Sequence, residues 1–341
     1  MEINTIAGLD VTELIEEIHN LVKNSRNRIK ANINTELLVT YWNIGKVIIE
    51  KETNSNVDDQ TSRKIILQIS KILTERLGKG FSRANLFNMR KLYLHYSRVQ
   101  TLSGHLSWSK YCELLMISDS NKRAFYEKEC QNANWSVREL KRQIDSSLFE
   151  RLLLSQGKNN KDKIIKLAQE GNIIREPDDI TKDPYVFEFL GIPENKPILE
   201  KDLERKLIRH IEDFLLELGK GFMFLGSQQI ITINNTHYFV DMVFYNKILK
   251  SYVLIELKTR KLQITDGGQM NTYLNYYKTE VNEENDNPPI GIIICAEKDE
   301  IAAEYILGSL SNKVFASRYT YILPKEEQLI HQIEEIIINE G

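Results

Sequence analysis

Cysteine is nearly absent from this chain, with three in 341 residues. Cys112, Cys130 and Cys295 are scattered and odd in number, which excludes a disulfide scaffold and fits no zinc spacing. They are expected as buried free thiols. The six histidines do not cluster either. His237 shares the strand parity of Asp241, but an exposed or internally bonded strand histidine is the simpler expectation. No apolar run approaches the roughly 18 residues that span a bilayer. The opening residues, MEINTIAGLDVTELIEE, are acidic and carry no apolar leader core, so a cytoplasmic location away from membranes is expected. A net charge of −3 argues against indiscriminate coating of nucleic acid. One sign of charge is missing locally, however. From Lys79 to Lys110 there is no acidic residue, while Arg83, Arg90, Lys91 and Arg98 are interleaved with Phe87, Tyr93, Tyr96 and Trp108.

What is present suggests two domains. The N-terminal half reads as helices: Val11 to about Ile29 behind a cap at Asp10, Thr35–Lys51, Ser62–Leu77, Arg83–Ser97, and three shorter ones at 110–116, 119–132 and 137–148. Glu52–Gln60 reads as a loop. Trp42, Trp108 and Trp135 fall within apolar helical patterns and are expected in the core. Helix, glycine turn and helix over 62–97 resembles a helix-turn-helix. In such a motif the early residues of the second helix face the bases. Arg83, Asn85 and Asn88 are then candidate base readers, and Arg90, Lys91 and Arg98 candidate phosphate contacts. An ordinary helix pair with a solvated basic face, or a protein-partner surface, remains an alternative. Residues 154–197, polar and broken by Glu176-Pro177 and Asp183-Pro184, read as a join.

The C-terminal part alternates helix and strand: a helix over 199–218, strands near 222–233, 237–245 and 251–258, a helix over 266–279, and a strand over 290–296. A helix over 299–309, a strand near 313–323 and a closing helix over 325–339 follow. If 247–250 form a turn, Asn246 faces Ser251 and Asp241 falls opposite Glu256, with Cβ atoms roughly 4.5–5.5 Å apart. Glu256 and Lys258 are two apart and share that face. The neighbours are apolar on both faces, as in a central strand. Carboxylates buried there are paired or hold a metal. Gln269 and Tyr273, four apart, share a helical face. Glu204 lies beside the stripe of Leu203, Leu207, Ile211, Phe214, Leu215 and Leu218.

Together Glu204, Asp241, Glu256-Leu257-Lys258 and Gln269-xxx-Tyr273 resemble the PD-(D/E)xK nuclease pattern, with a Q-xxx-Y element similar to that of the RecB-like branch. Val240 stands where the name has proline. Longer strings, LELGKGFMFLGSQ, YFVDMVFYN and GQMNTYLNYY with GFSRANLFNMRKLY and NWSVRELKRQIDSSLFERL, resemble the bacterial YhcG-like family of predicted nucleases over nearly the whole chain. The resemblance implies an all-α domain (1–153), a linker (154–197) and an α/β restriction-endonuclease-like domain with a mixed sheet (198–341), α+β overall. It implies Mg²⁺ or Mn²⁺ held by Asp241, Glu256, the Leu257 carbonyl and Glu204, with Lys258, Gln269 and Tyr273 completing the catalytic set. The expected activity is hydrolysis of double-stranded or branched DNA, endonucleolytic rather than exonucleolytic, by a homodimer. A non-catalytic DNA-binding or assembly subunit, with the helical half as partner surface, is the alternative.

Overall fold

The computed structural model describes residues 11–155, 160–193 and 197–339; Asp10 lies outside them. Contacts divide the chain into two units, one running to Arg123 with Asn134–Val137, the other comprising Ala124–Ala133 and everything from Arg138 onward.

The first unit is helical. α1 (Val11–Asn54) is a single helix of 44 residues where two were expected. Between Ile29 and Thr35 stand no proline and no glycine, and the two asparagines there cost about 0.7 kcal/mol each at most against alanine. α2 (Asp59–Leu77) starts three residues earlier than expected because Asp58 caps it, accepting from the Thr61 amide at 2.7 Å. Gly78 ends it, and Ser82 caps α3 (Arg83–His95). α4 (Trp108–Leu114) follows, and α5 (Ser120–Asn132) begins here and runs into the second unit. Leu38, Trp42, Ile48, Ile66, Leu86, Met89 and Leu92 form the buried interior. Trp42 meets its polar need by donating to the Tyr96 carbonyl at 2.7 Å. Gly45 sets the spacing of α1 and α3: a Cβ there would lie 2.0 Å from the Met89 carbonyl oxygen.

The second unit is a six-stranded mixed sheet with helices on both faces. α6 (Val137–Asp145), α7 (Leu148–Ser155) and α8 (Asn160–Glu170) precede it. The strand order is β1-β6-β5-β4-β3-β2, from β1 (Tyr185–Val186), β2 (Phe222–Ile233), β3 (Thr236–Asn246), β4 (Ser251–Lys261), β5 (Ile290–Glu297) and β6 (Val314–Thr320). β2, β3 and β4 are antiparallel neighbours, whereas β4, β5, β6 and β1 run parallel. Asn234 and Asn235, both with positive φ, form the two-residue turn between β2 and β3 that suits the strand twist. Asn246 caps the next turn, accepting from the Ile248 and Leu249 amides.

The predicted helix over 199–218 is two: α9 (Glu200–Arg209) and α10 (Ile211–Leu218), separated at His210 by a non-helical φ/ψ of −111°/38°. Leu203, Leu207, Phe214 and Leu218 cover Met242, Phe244, Ile255 and Leu257. On the other face α11 (Ile264–Tyr276) lays Met270, Tyr273 and Leu274 on Val243, Leu254 and Ile293. Gly291 in β5 permits that approach, since a Cβ would meet the Met270 side chain at 2.5 Å. α12 (Glu300–Gly308) and α13 (Glu326–Asn339) complete the unit.

The stretch expected as a join is part of this unit. β1 pairs with β6, Tyr185 opposite Tyr319. Its neighbourhood is tied together by Glu217 of α10, which is wholly buried. The Glu217 carboxylate accepts from Arg151 at 2.5 Å, from Arg142 at 3.2 Å and from the Val186 amide at 3.0 Å. Lys182 donates to the Glu217 main-chain carbonyl. Burial alone would raise this carboxyl, but Arg151, Lys182 and Arg142 outweigh it and hold it down to about 2. Among the described residues no helix is long and apolar enough to cross a membrane.

Candidate active site

Pairing of β3 with β4 runs from Asn246–Ser251 to Met242–Ile255 and then stops. One step further stand Asp241 and Glu256. Side chains replace the ladder there: the Asp241 amide donates to Glu256 Oε1 at 3.2 Å, and the Leu257 amide donates to Asp241 Oδ2 at 2.9 Å. Where the strands part, side chains from both faces of the sheet converge. From β4, Lys258 Nζ lies 3.2 Å from Glu256 Oε2. From α11, Gln269 Nε2 donates to the same oxygen at 3.2 Å and to the Tyr273 hydroxyl at 2.7 Å. Asp266 fixes the start of α11, accepting from the Gln263 amide and from both terminal nitrogens of Arg260 at 2.7 Å. From α9, on the opposite face, comes Glu204.

Glu204 reaches Asp241 through a residue that sequence reasoning missed. Gln228 Nε2 donates to Glu204 Oε2 at 2.8 Å and to Asp241 Oδ1 at 3.2 Å. β2 carries one extra residue against β3 between Phe224 and Gly226. Beyond this bulge Ser227 pairs with Met242 and Gln229 with Val240, which brings Gln228 to the row of Asp241. Without the extra residue Gln228 would stand opposite Val240, since a one-residue slip exchanges the faces. Its φ of +49° is uncommon for a residue other than glycine, and such strain is concentrated at functional sites. A second missed neighbour is Glu200, whose carboxylate accepts from the Thr259 amide at 3.2 Å.

The electrostatics are those of crowded acids kept from water. Glu256 is 3 % exposed and Glu204 7 %. Burial, with the adjacent Asp241 charge, pushes the Glu256 carboxyl up to about 8. Burial also raises Asp241, against the pull of the Leu257 amide and Lys258. Glu204 is raised by burial and by Asp241. Burial would lower the Lys258 ammonium, but Glu256 and Asp241 hold it above its ordinary value. A divalent cation would relieve this crowding, and the donor set is all oxygen, as hard cations require. Among the described residues no three acidic, histidine or cysteine groups already converge as a ready shell. Main-chain carbonyl or water oxygens would have to complete one. On those grounds the residues fit Mg²⁺ or Mn²⁺.

A pH dependence follows. An ordinary glutamate loses its proton near 4.5, whereas folded Glu256 keeps its own to about 8. Across that interval the native state binds more protons than the unfolded one, so stability falls as pH rises. In EDTA the Tm should decline from about pH 5 to pH 8. Glu256→Gln should flatten the slope, and Mn²⁺ at pH 8 should recover the wild-type loss. A Glu256→Gln profile parallel to wild type would count against this account.

Comparison with known proteins shows the family. Residues 178–334 match the family described as YhcG PDDEXK nuclease domain, and residues 17–151 match the DUF1016 N-terminal domain. The chain is 35 % identical to the Escherichia coli (strain K12) protein named "Putative nuclease YhcG", over 99 % of this chain and 97 % of that one. The chain belongs to the YhcG family. Among solved structures, a repair endonuclease from Pyrococcus abyssi has 19 % identity and a TM-score of 0.26, covering 39 % of this chain and 50 % of its own. EndoMS in apo form has 15 % identity and a TM-score of 0.25, covering 38 % and 49 %. Neither likeness is close enough to bear on the chemistry.

The family's nuclease domain thus contains Glu204, Asp241, Glu256, Lys258, Gln269 and Tyr273 in one linked group. The candidate DNA-facing residues of α3, with Arg98 just beyond it, lie in the other unit and divide into two sets. Asn85 is engaged internally: its Nδ2 donates to the Gly80 carbonyl at 2.9 Å, and its Oδ1 accepts from Trp108 at 3.3 Å. Arg90 is ion-paired with Glu52 at 2.6 Å, and Asn88 bonds to Cys112. Arg83 and Arg98 are exposed, and Lys91 is half-buried near Met116. His237 is exposed and shares a hydrogen bond with Thr232 at 2.9 Å.

Proposed function

We propose that this chain is a metal-dependent nuclease that hydrolyses phosphodiester bonds of DNA. The observation that carries the reading is the meeting of Asp241, Glu256 and Lys258 where β3 and β4 part. A carboxyl pushed up to about 8 beside a second acid and an ammonium is an arrangement that costs stability and is explained by a function.

Asp241 and Glu256 would hold Mg²⁺ or Mn²⁺, with the Leu257 carbonyl and Glu204 as further oxygen donors. Bound there, the ion would supply Lewis-acid polarisation of the phosphate and a more acidic water. Lys258 places its ammonium where charge develops on the phosphorus oxygens. Gln269 holds the Glu256 carboxylate in one rotamer, and the Tyr273 hydroxyl holds Gln269. Gln228 keeps Glu204 beside Asp241 despite their like charge.

The direct test is degradation of supercoiled, linear and branched DNA by the full-length protein with Mg²⁺ or Mn²⁺, beside Glu256→Ala. Strand cutting that EDTA and Glu256→Ala both remove supports the reading. Activity equal in wild type and Glu256→Ala would sink it. The same panel separates internal cutting, which we favour, from digestion of ends. Cutting of both strands takes two such sites, so a homodimer is the expected active form.

DNA affinity is assigned to the exposed basic face of the first unit, with α2 and α3 as a helix-turn-helix. The pairing of Arg90 with Glu52 narrows the DNA-facing set to Arg83, Lys91 and Arg98. Reversing these three to glutamate should weaken binding. Its salt dependence should flatten by about 0.9 in log–log slope for each phosphate no longer neutralised. Unchanged affinity and slope would hand this face to a protein partner.

A further inference from the structure

From Gly221 to Val240 the chain carries no aspartate, glutamate, lysine or arginine. A stretch so free of charge would suit a buried strand, yet part of it faces water. Edge strands commonly carry charged side chains, and β2 is the last strand of the sheet. β3 leaves β4 after the Met242–Ile255 pair, whereas β2 and β3 stay paired as far as Ile233–Thr236. The two strands therefore run on past the candidate active site as a ribbon of their own. One face of that ribbon is anchored. Ile231 and Val240 are buried in the cluster that holds Met270 and Tyr273, and the Tyr238 ring lies 6.3 Å from that of Tyr273. Strand alternation turns the cross-strand pair Ile230 and Phe239 to the other face, where they are 61 % and 49 % exposed.

The place of this pair says what covers it. Phe239 stands two residues from Asp241, about 6–7 Å along the strand. Ile230 stands two residues from Gln228, which donates to both Glu204 and Asp241. A phosphodiester brought to Asp241 and Glu256 therefore has its flanking nucleoside within reach of the Phe239 ring. The ribbon offers no ammonium or guanidinium to a phosphate, so its surface matches the apolar face of a base. Bases that are free of a duplex stack on aromatic rings; in intact duplex the neighbouring base pairs already cover those faces. Building on the nuclease reading, we infer that Phe239, backed by Ile230, is a stacking platform for an unpaired base beside the scissile phosphate. The substrate is then DNA with an unstacked nucleotide at the cut, as at a mismatch, a bulge or a branch.

Fluorescence anisotropy of the full-length protein in EDTA tests it by binding alone. Two end-labelled DNAs are compared: a fully paired duplex, and the same duplex with one unpaired 2-aminopurine. Wild type is expected to bind the bulged DNA more tightly. Phe239→Leu keeps an apolar side chain but removes the ring. It should weaken binding of the bulged DNA by about 5- to 150-fold and leave the paired duplex unchanged. Phe239→Tyr should bind as wild type does. The 2-aminopurine emission should be quenched by wild type and Phe239→Tyr, and not by Phe239→Leu. Equal Tm values would show that both variants fold. Wild type that binds the two DNAs equally overturns the proposal, as does a Phe239→Leu protein that binds and quenches like wild type. An equal loss on both DNAs overturns it too. Loss of self-association in Phe239→Leu, with DNA binding unchanged, would give the ribbon to a protein partner and overturn it as well. Absent cleavage alongside the expected binding difference would strike the nuclease reading and leave the platform standing.

Discussion

Asp241→Ala and Lys258→Ala are each expected to lower DNA cleavage by about 10²–10³-fold or more while leaving the protein folded. The first removes the oxygen that accepts from the Leu257 amide and one of two acids at the parting of β3 and β4. The second removes the ammonium beside Glu256. Thermal melts distinguish the causes. Asp241→Asn keeps an oxygen for the Leu257 amide and relieves repulsion of Glu256, so this metal-free variant should melt no lower than wild type and should no longer shift with Mn²⁺. Gln228→Ala should act more mildly. Loss of a group that orients first ligands weakens metal affinity by about 10–100-fold, read by calorimetry with Mn²⁺. Wild-type calorimetry without a signal, alongside undiminished cleavage in EDTA, would refute the metal assignment.

The largest effect on stability is expected far from the chemistry, at Glu217. Removing one partner of a buried ion pair costs about 3–5 kcal/mol, because the other charge is left without compensation. Glu217→Ala would strand Arg151, which is 0 % exposed, and would free the Val186 amide that docks β1. The Glu217 carboxyl is held down to about 2, below the ordinary 4.5. The stabilisation is therefore complete above about pH 4.5 and is lost as pH falls towards 2. Urea denaturation at pH 7 should show the loss, and the variant's deficit should shrink under acid. A variant as stable as wild type at pH 7 would mean the network is dispensable.

Much of the site was legible because its parts obey short periodicities. Asp241 and Glu256 follow from a four-residue turn and an even ladder, Lys258 from strand alternation, and Tyr273 from helical spacing. Gln228 was not legible, since a polar residue in an exposed strand looks ordinary and only the bulge before Gly226 turns it to Asp241. Glu217 does carry a readable signal. It lies three residues after Phe214 and beside Leu218, on the buried stripe of α10, where an acid needs an explanation. β1 was lost among prolines because two residues give no alternation to read. Continuity of α1 was underestimated because asparagines look like breaks, while their actual penalty is small.

Gly45 gives the long helix a mechanical meaning. With no room for a side chain between α1 and the Met89 carbonyl, α1 and α3 cannot slide past one another and behave as a strut with a crossbar. The 34 residues of α1 that precede Gly45 extend about 51 Å at 1.5 Å per residue. A tilt of about 5° at this crossing would therefore move the far end of the helix by about 4 Å.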